Sequence, residues 1–262
     1  MSAARSRARS PGGEAAPPRS ELVRAALAQL EGLATRRDRE NLARFGITEK
    51  NALGVSMASI QKVAKRVGRS HALAEGLWRT GVYEARMLAA FVDEPEKVTS
   101  AQMDRWWRDF DSWGLCDTLC FCLFDRTPQA WAKVEAWRDA KGEHQKRASF
   151  ALLASLAGHD RVSGDATFAK GLRFVERAAG DDRNFVKKGV SWALRSIGRR
   201  SPALHREAVA LARRLAGSQV AAARWVGRDG LRDLLRPAVA GKVRARGARQ
   251  RTKDRARGGG AP

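Results

Sequence analysis

From residue 20 to residue 237 the apolar residues recur at helical spacing, and no alternating pattern lasts long enough to make a strand. Val186, Val190, Ala193 and Ile197 stand at i, i+4, i+7 and i+11, and Val63, Val67, His71 and Ala74 keep a helical step through another segment. A chain that is helical throughout can bury its apolar stripes only by packing helix on helix, in a bundle or a stacked array. The pattern divides into about a dozen helices of roughly 10–16 residues, whose pairs recur at very roughly 35–45 residues, the period of HEAT-like repeats. The fold expected is all-α, an α-solenoid wound as a right-handed superhelix, with a globular helical bundle as the competing arrangement. Local signals mark the helix starts. Thr99 with Gln102 reads as a capping box, and Thr127-Pro128 and Ser201-Pro202 each set a cap residue before proline at the first helical position.

The ends differ from this body. Residues 1–19 are rich in Arg, Ser, Pro, Gly and Ala, residues 238–262 are rich in Gly, Arg and Ala, and both read as disordered basic tails around a folded domain of residues 20–237. The chain carries a net charge of +22, and the two ends account for ten of these charges, leaving +12 on the body. Tails alone would be solvated decoration. A basic body instead implies a surface that attracts polyanions, either nucleic acid or an anionic membrane. No apolar stretch approaches the roughly 20 residues of a membrane span, and the N-terminus has no apolar core of a secretory signal.

The cysteines, 116, 120 and 122, are odd in number and clustered, which gives no disulfide framework and fits a reducing cytoplasm. Their C-x3-C-x-C spacing lacks a nearby histidine and is poor for zinc, so they read as buried small hydrophobes. Phosphate-loop, dinucleotide, zinc-deaminase and metalloprotease motifs are all missing from the sequence.

Two segments place chemistry-bearing residues on one helical face. In the first, Trp113 and Asp117 are i and i+4, while Leu115, Leu119 and Cys122 make a separate apolar stripe for the core. The same pattern also describes an exposed acid in a surface ion pair. In the second, Lys188, Trp192, Arg195 and Arg199 follow i, i+4, i+7 and i+11, opposite the apolar seam of that helix. A tryptophan within a cationic stripe suits a nucleic-acid surface, though an interfacial tryptophan covered by Lys and Arg stems looks alike. Between them Arg147 stands in the first turn of an apolar helix, an end that disfavours a cation unless an acid or phosphate lies close.

Several separate motifs occur in order: Phe45-Gly46-Ile47, Gly54-Val55-Ser56-Met57, Leu77-Trp78, Glu84-Ala85-Arg86, Trp113 with Cys116-Asp117, Lys146-Arg147-Ala148, and Phe185-Val186-Lys187-Lys188 with Trp192-Ala193-Leu194-Arg195. Over about residues 20–237 they make the chain resemble the AlkD-like DNA alkylation repair family. The resemblance implies a HEAT-like array that removes N3- and N7-alkylated purines from double-stranded DNA. It also implies a mechanism without metal or cofactor, and without flipping the base.

Carried onto this chain, the family's catalytic acid falls on Asp117, its first cleft tryptophan on Trp113, its arginine on Arg147 and its second tryptophan on Trp192. Arg147 would hold the Asp117 carboxyl down in its ionised form and could reach a backbone phosphate, with Lys188 and Arg195 contacting DNA beside Trp192. A monomer suffices, and the expected setting is the nucleoid in the cytoplasm. One departure is Gly114, where many relatives carry Asp. The alternatives are a non-catalytic paralogue that binds bent or branched DNA by shape, and a protein-interaction solenoid.

Overall fold

Fourteen α-helices and one 3-10 turn make up the regular structure of the described residues, 19–47 and 50–258 of a computed structural model, and no strand occurs among them. In chain order they are α1 (Arg19–Glu31), α2 (Arg36–Arg44), α3 (Met57–Val67), α4 (His71–Arg79), α5 (Tyr83–Val92), α6 (Ser100–Arg108) and α7 (Trp113–Cys122). After the turn Phe124–Arg126 follow α8 (Ala130–Trp137), α9 (Glu143–His159), α10 (Asp165–Ala178) and α11 (Asn184–Gly198), then α12 (Pro202–Ala216), α13 (Ala221–Leu234) and α14 (Pro237–Gly258).

The caps explain several boundaries. Ser201 Oγ accepts from the Leu204 N–H at 3.2 Å with Pro202 in the first turn, as expected. Thr99 Oγ1 likewise accepts from Gln102 N, but the Gln102 side chain turns inward and donates to Asp93 Oδ2 at 2.7 Å, so only half of the capping box forms. Thr127 does not cap α8; it closes the preceding 3-10 turn. Its hydroxyl donates to the Phe124 carbonyl, and α8 begins three residues later. The single helix expected through Val63 and His71 is two. Gly68 ends α3 in the left-handed region, with φ 72°, and Ser70 caps α4 through the Leu73 N–H.

The helices form two layers. The inner layer is the succession α3, α5, α7, α9, α11 and α13, each packed on the next, with α4, α8, α10 and α12 lying against it. Its members α5 to α13 begin at residues 83, 113, 143, 184 and 221, so the repeats are 30, 30, 41 and 37 residues long, the earlier ones shorter than expected. The outer helices are linked by charge pairs: Glu75 of α4 to Arg105 of α6, Asp104 of α6 to Lys133 of α8, Glu135 of α8 to Lys170 of α10, and Glu176 of α10 to Arg214 of α12. At the centre is α9, in which every residue from Arg147 to Ala157 is buried, the all-round burial expected of a helix enclosed by its neighbours.

The tail expected from residue 238 is instead the long helix α14 as far as Gly258. Val239, Val243 and Gly247 make an i, i+4, i+8 seam inside the Arg-rich run, with Val243 and Gly247 buried and Val239 half-buried, and this seam packs α14 on α12 and α13. Arginine density had concealed a narrow amphipathic pattern. Of the tail expected over residues 1–19, only Arg19 is described, and it opens α1. Among the described residues no helix is long and apolar enough to cross a membrane.

Candidate active-site cleft

The site is assembled on α7, α9 and α11, three consecutive inner helices. Ser112 caps α7 through the Leu115 N–H, which puts Trp113 at the first helical position and Asp117 one turn along. Leu115, Cys116, Leu119 and Cys120 are fully buried, so the core stripe of α7 runs through two of the cysteines, and Cys122, expected in it, is only half-buried. With that stripe inward, Trp113, Asp117 and Phe121 share the opposite face at successive i, i+4 steps. Trp113 is half-buried and donates its Nε1–H to the Phe45 carbonyl at 2.9 Å, beside a Phe45 ring that is itself exposed.

Gly114 lies where α7 meets α5. A Cβ there would come within 2.7 Å of Tyr83 Oη and 2.9 Å of Ile47 Cδ1, both belonging to buried side chains. The missing side chain is therefore a close-packing solution specific to these neighbours, not a loosened turn.

Arg147 projects from α9 and grips Asp117 in a two-pronged pair: Nε donates to Oδ1 at 2.8 Å and Nη2 to Oδ2 at 2.7 Å. Nη1 donates to the Phe185 carbonyl at the start of α11, also at 2.8 Å. One guanidinium thus ties three helices to a single carboxylate, and the fork geometry fixes the carboxylate plane. The helix starts at Glu143, so Arg147 stands in the second turn, and the compensating acid is Asp117. Gln145 of the same helix holds this end of α9, donating to the Phe110 carbonyl at 2.9 Å and accepting the Trp107 indole N–H on its own carbonyl at 3.0 Å.

The Asp117 side chain keeps 19% exposure against 8% for Arg147, so the pair is sheltered but the carboxylate retains an opening. Burial raises the Asp117 carboxyl from its ordinary value, and the hydrogen bonds and charge of Arg147 only partly oppose this. The expected depression is therefore reversed, because desolvation outweighs the ion pair. His144, three residues before Arg147, packs its ring 5.3 Å from Phe185, and its Nε2 is buried without a hydrogen-bond partner. Burial lowers its pKa, and the charge of Arg147 adds to that effect against the raising influence of Glu143, Asp111 and Asp117.

Trp192 reaches the site through Phe121: the two rings stack at 4.9 Å and 7°. His159, at the end of α9, meets the edge of Phe121 at 5.4 Å and pairs with the fully buried Asp125, which also accepts from Ser155 Oγ at 2.6 Å. Along α11, Lys188 is exposed over the Phe185 ring at 5.8 Å, whereas Arg195 turns toward α13, 3.5 Å from Asp229. The opposing seam of Val186, Val190, Ala193 and Ile197 is fully buried. The sequence reading does not single out Phe121, His144 or His159, and it includes Phe45 only within the Phe45-Gly46-Ile47 motif. Phe121 was within reach, being one further i, i+4 step after Asp117.

A carboxylate held in one orientation with part of its surface open can meet positive charge from that side. A model of the DNA alkylation repair enzyme family matches residues 26–234. No curated protein matches the chain in sequence. Among solved structures the chain is similar to a protein described as one of a new family of proteins related to the HEAT-like repeat DNA glycosylases with affinity for branched DNA structures. The identity is 19%, the TM-score 0.69, and the match covers 81% of this chain and 95% of the other, a likeness of fold.

Proposed function

Because the chain belongs to the DNA alkylation repair enzyme family, we propose that it is a DNA glycosylase that removes positively charged N3- and N7-alkylated purines from duplex DNA. The observation that carries this reading is the Asp117–Arg147 pair, a partly open carboxylate held by two charge-assisted hydrogen bonds on the helix face that also carries Trp113 and Phe121. Alkylation puts a positive charge on the purine, so breaking the C1′–N bond returns its electron pair to a base that leaves neutral. The positive charge moves to the deoxyribose, which becomes oxocarbenium-like.

Asp117 is assigned to face that charge and to orient the water whose oxygen forms the new bond at C1′, the water's proton being lost to the carboxylate or to solvent. Trp113 and Trp192 are assigned to the sugar and backbone, where an aromatic face favours developing positive charge. Arg147 is a positioning residue, with three of its five N–H donors committed and two left for a backbone phosphate. Lys188 and Arg195 extend the contact along α11. Specificity then comes from the weakness of the cationic glycosidic bond, without an enclosing base pocket.

The test is base release from duplex DNA carrying N7-methylguanine, with wild type and Asp117→Asn side by side. Release by wild type and none by the variant is expected, with duplex binding by the variant intact or tighter because one repelling charge is gone. Wild-type rates from Asp117→Asn would remove the carboxylate from the mechanism. A second reading, a non-catalytic protein that binds branched DNA by shape, is favoured by the affinity described for the structural relative. No release by either protein, with tight binding to a junction, would establish that reading instead.

A further inference from the structure

Three adjoining cavities run along one rim of the array, where α9, α11 and α13 end and α10, α12 and α14 begin. One of about 480 Å³ is lined by Arg195 and Arg236. The next, about 340 Å³, shares Arg236 and adds Arg199, Lys242 and Arg246. The third, about 780 Å³, shares Arg246 and adds Arg200 and Arg206. Shared walls make them one groove, and none is lined by Trp113, Asp117, Arg147 or Trp192.

The groove holds more positive charge than its own acids neutralise. Asp233 is paired with Arg199 at 2.6 Å, Asp229 lies by Arg195, and Asp165 accepts from Ser201 Oγ. Arg206, Arg236 and Lys242 are exposed and make no ion pair among the described residues, and Arg246 donates only to the Arg199 carbonyl, at 2.9 Å. Arg200 is fixed over the Phe168 ring at 3.8 Å, with its N–H groups on the Ala157 and Ser163 carbonyls. Burial lowers its pKa and the nearby charges of Arg161 and Arg246 lower it further, against Asp160 and Asp165.

Lys242 and Arg246 are like charges at i, i+4 on α14, an arrangement that costs stability unless an anion lies between them and their neighbours. The buried seam of α14 holds both at the groove. A concave tract of one sign concentrates the field and attracts a polyanion.

The groove also shares α11 with the candidate site. The stripe Lys188, Trp192, Arg195 and Arg199 runs along α11 into it, and seven residues from Trp192 to Arg199 span roughly 10 Å of helix. We propose that this rim groove is a second phosphate-backbone track that grips the DNA segment leaving the cleft. It rests on the reading that the cleft itself binds DNA. The phosphates belong either to the flank of the same duplex or to another arm of a branched DNA.

The test compares wild type with the variant Arg206→Gln, Arg236→Gln, Lys242→Gln, Arg246→Gln on a short duplex, a long duplex and a three-way junction. Affinity is measured across a salt series. Each lost phosphate contact lowers the log–log salt slope by about 0.9, so a fall of roughly 2 to 4 is expected on the longer DNAs. Binding and base release on the short duplex should stay at wild-type values, and the thermal melt of the free protein should not fall, since relieving the like-charge pair at 242 and 246 can only raise it.

Loss on the long duplex identifies the flank, and loss on the junction alone identifies a second arm. A companion variant, Arg206→Lys, Arg236→Lys, Arg246→Lys, keeps the charge and should retain the wild-type slope. Wild-type affinity and slope for the Gln variant on every DNA would overturn the groove while leaving the cleft standing. A wild-type protein that binds none of the three would overturn both.

Discussion

At the level of single residues the chemistry rests on a contest between burial and pairing at Asp117. Burial raises its pKa and Arg147 pulls it back. Catalysis as proposed needs the ionised carboxylate, so base release should fall as pH drops through a limb lying above the ordinary aspartate value of 3.8. Arg147→Gln removes the opposing pull, so the limb of the pH–rate profile should move to higher pH. An unmoved limb would mean that Arg147 does not hold the charge. The same variant should lose stability by about 3–5 kcal/mol, since it leaves a sheltered carboxylate without its partner. Gly114 gives a second case. Alanine is the better helix former by about 1 kcal/mol, yet its Cβ would press on Tyr83 and Ile47. Gly114→Ala should therefore be net destabilising, by about 1–2 kcal/mol after the overpacking cost, read as a lower urea midpoint. A higher midpoint would show that the α5–α7 contact yields easily.

Between elements, close approach sets the geometry that carries the site. At Gly227 of α13 a Cβ would lie 2.2 Å from Ala216 N and 2.6 Å from the Ala212 carbonyl oxygen, so it meets the backbone of α12 rather than a movable side chain. Gly227→Ala must push the two helices apart, and a loss of about 2–4 kcal/mol is expected in a denaturant titration. Farther up the inner layer the same logic is milder: at Gly189 an added Cβ would sit 3.4 Å from Arg147 Cγ, which shows how closely α11 flanks the arginine that holds Asp117. The stacked Phe121 and Trp192 bridge α7 and α11 across the cleft. Trp192→Ala should weaken DNA binding and base release together. The stack itself is worth about 0.5–1.5 kcal/mol, roughly a two- to tenfold effect before any contact with DNA is counted. A variant with normal binding and normal release would remove Trp192 from the cleft's function.

Over the whole molecule, charge and layered packing act together. A body charge of +12 on a layered helical array favours a long polyanion over a small acidic ligand. DNA affinity should fall steeply and linearly on a log–log salt plot. A weak, salt-insensitive interaction would favour a protein-interaction solenoid instead. The basic C-terminal helix adds affinity without base contacts in this account, so neutralising its cations should leave lesion preference unchanged.

Fold class was legible in the residue pattern because helical periodicity is local: a face of Val186, Val190, Ala193 and Ile197 is set by 3.6 residues per turn wherever the helix packs. The fully buried seam and the opposite face with exposed Lys188 followed from that spacing, whereas the stacking of half-buried Trp192 on Phe121 did not. The motif resemblance likewise led to Asp117, Arg147, Trp113 and Trp192. What spacing did not contain was anything that depends on distance between helices. Asp117 and Arg147 are 30 residues apart, and Arg147 and Phe185 are 38 apart. Whether the carboxyl is raised by burial or lowered by its partner is a balance that exists only once both are removed from water. The fit of Gly114 against Tyr83, and the rim groove that gathers Arg206, Arg236 and Arg246 from three elements, arise the same way. Helical faces are properties of neighbours in sequence, whereas desolvation, close approach and shared electric field are properties of neighbours in space.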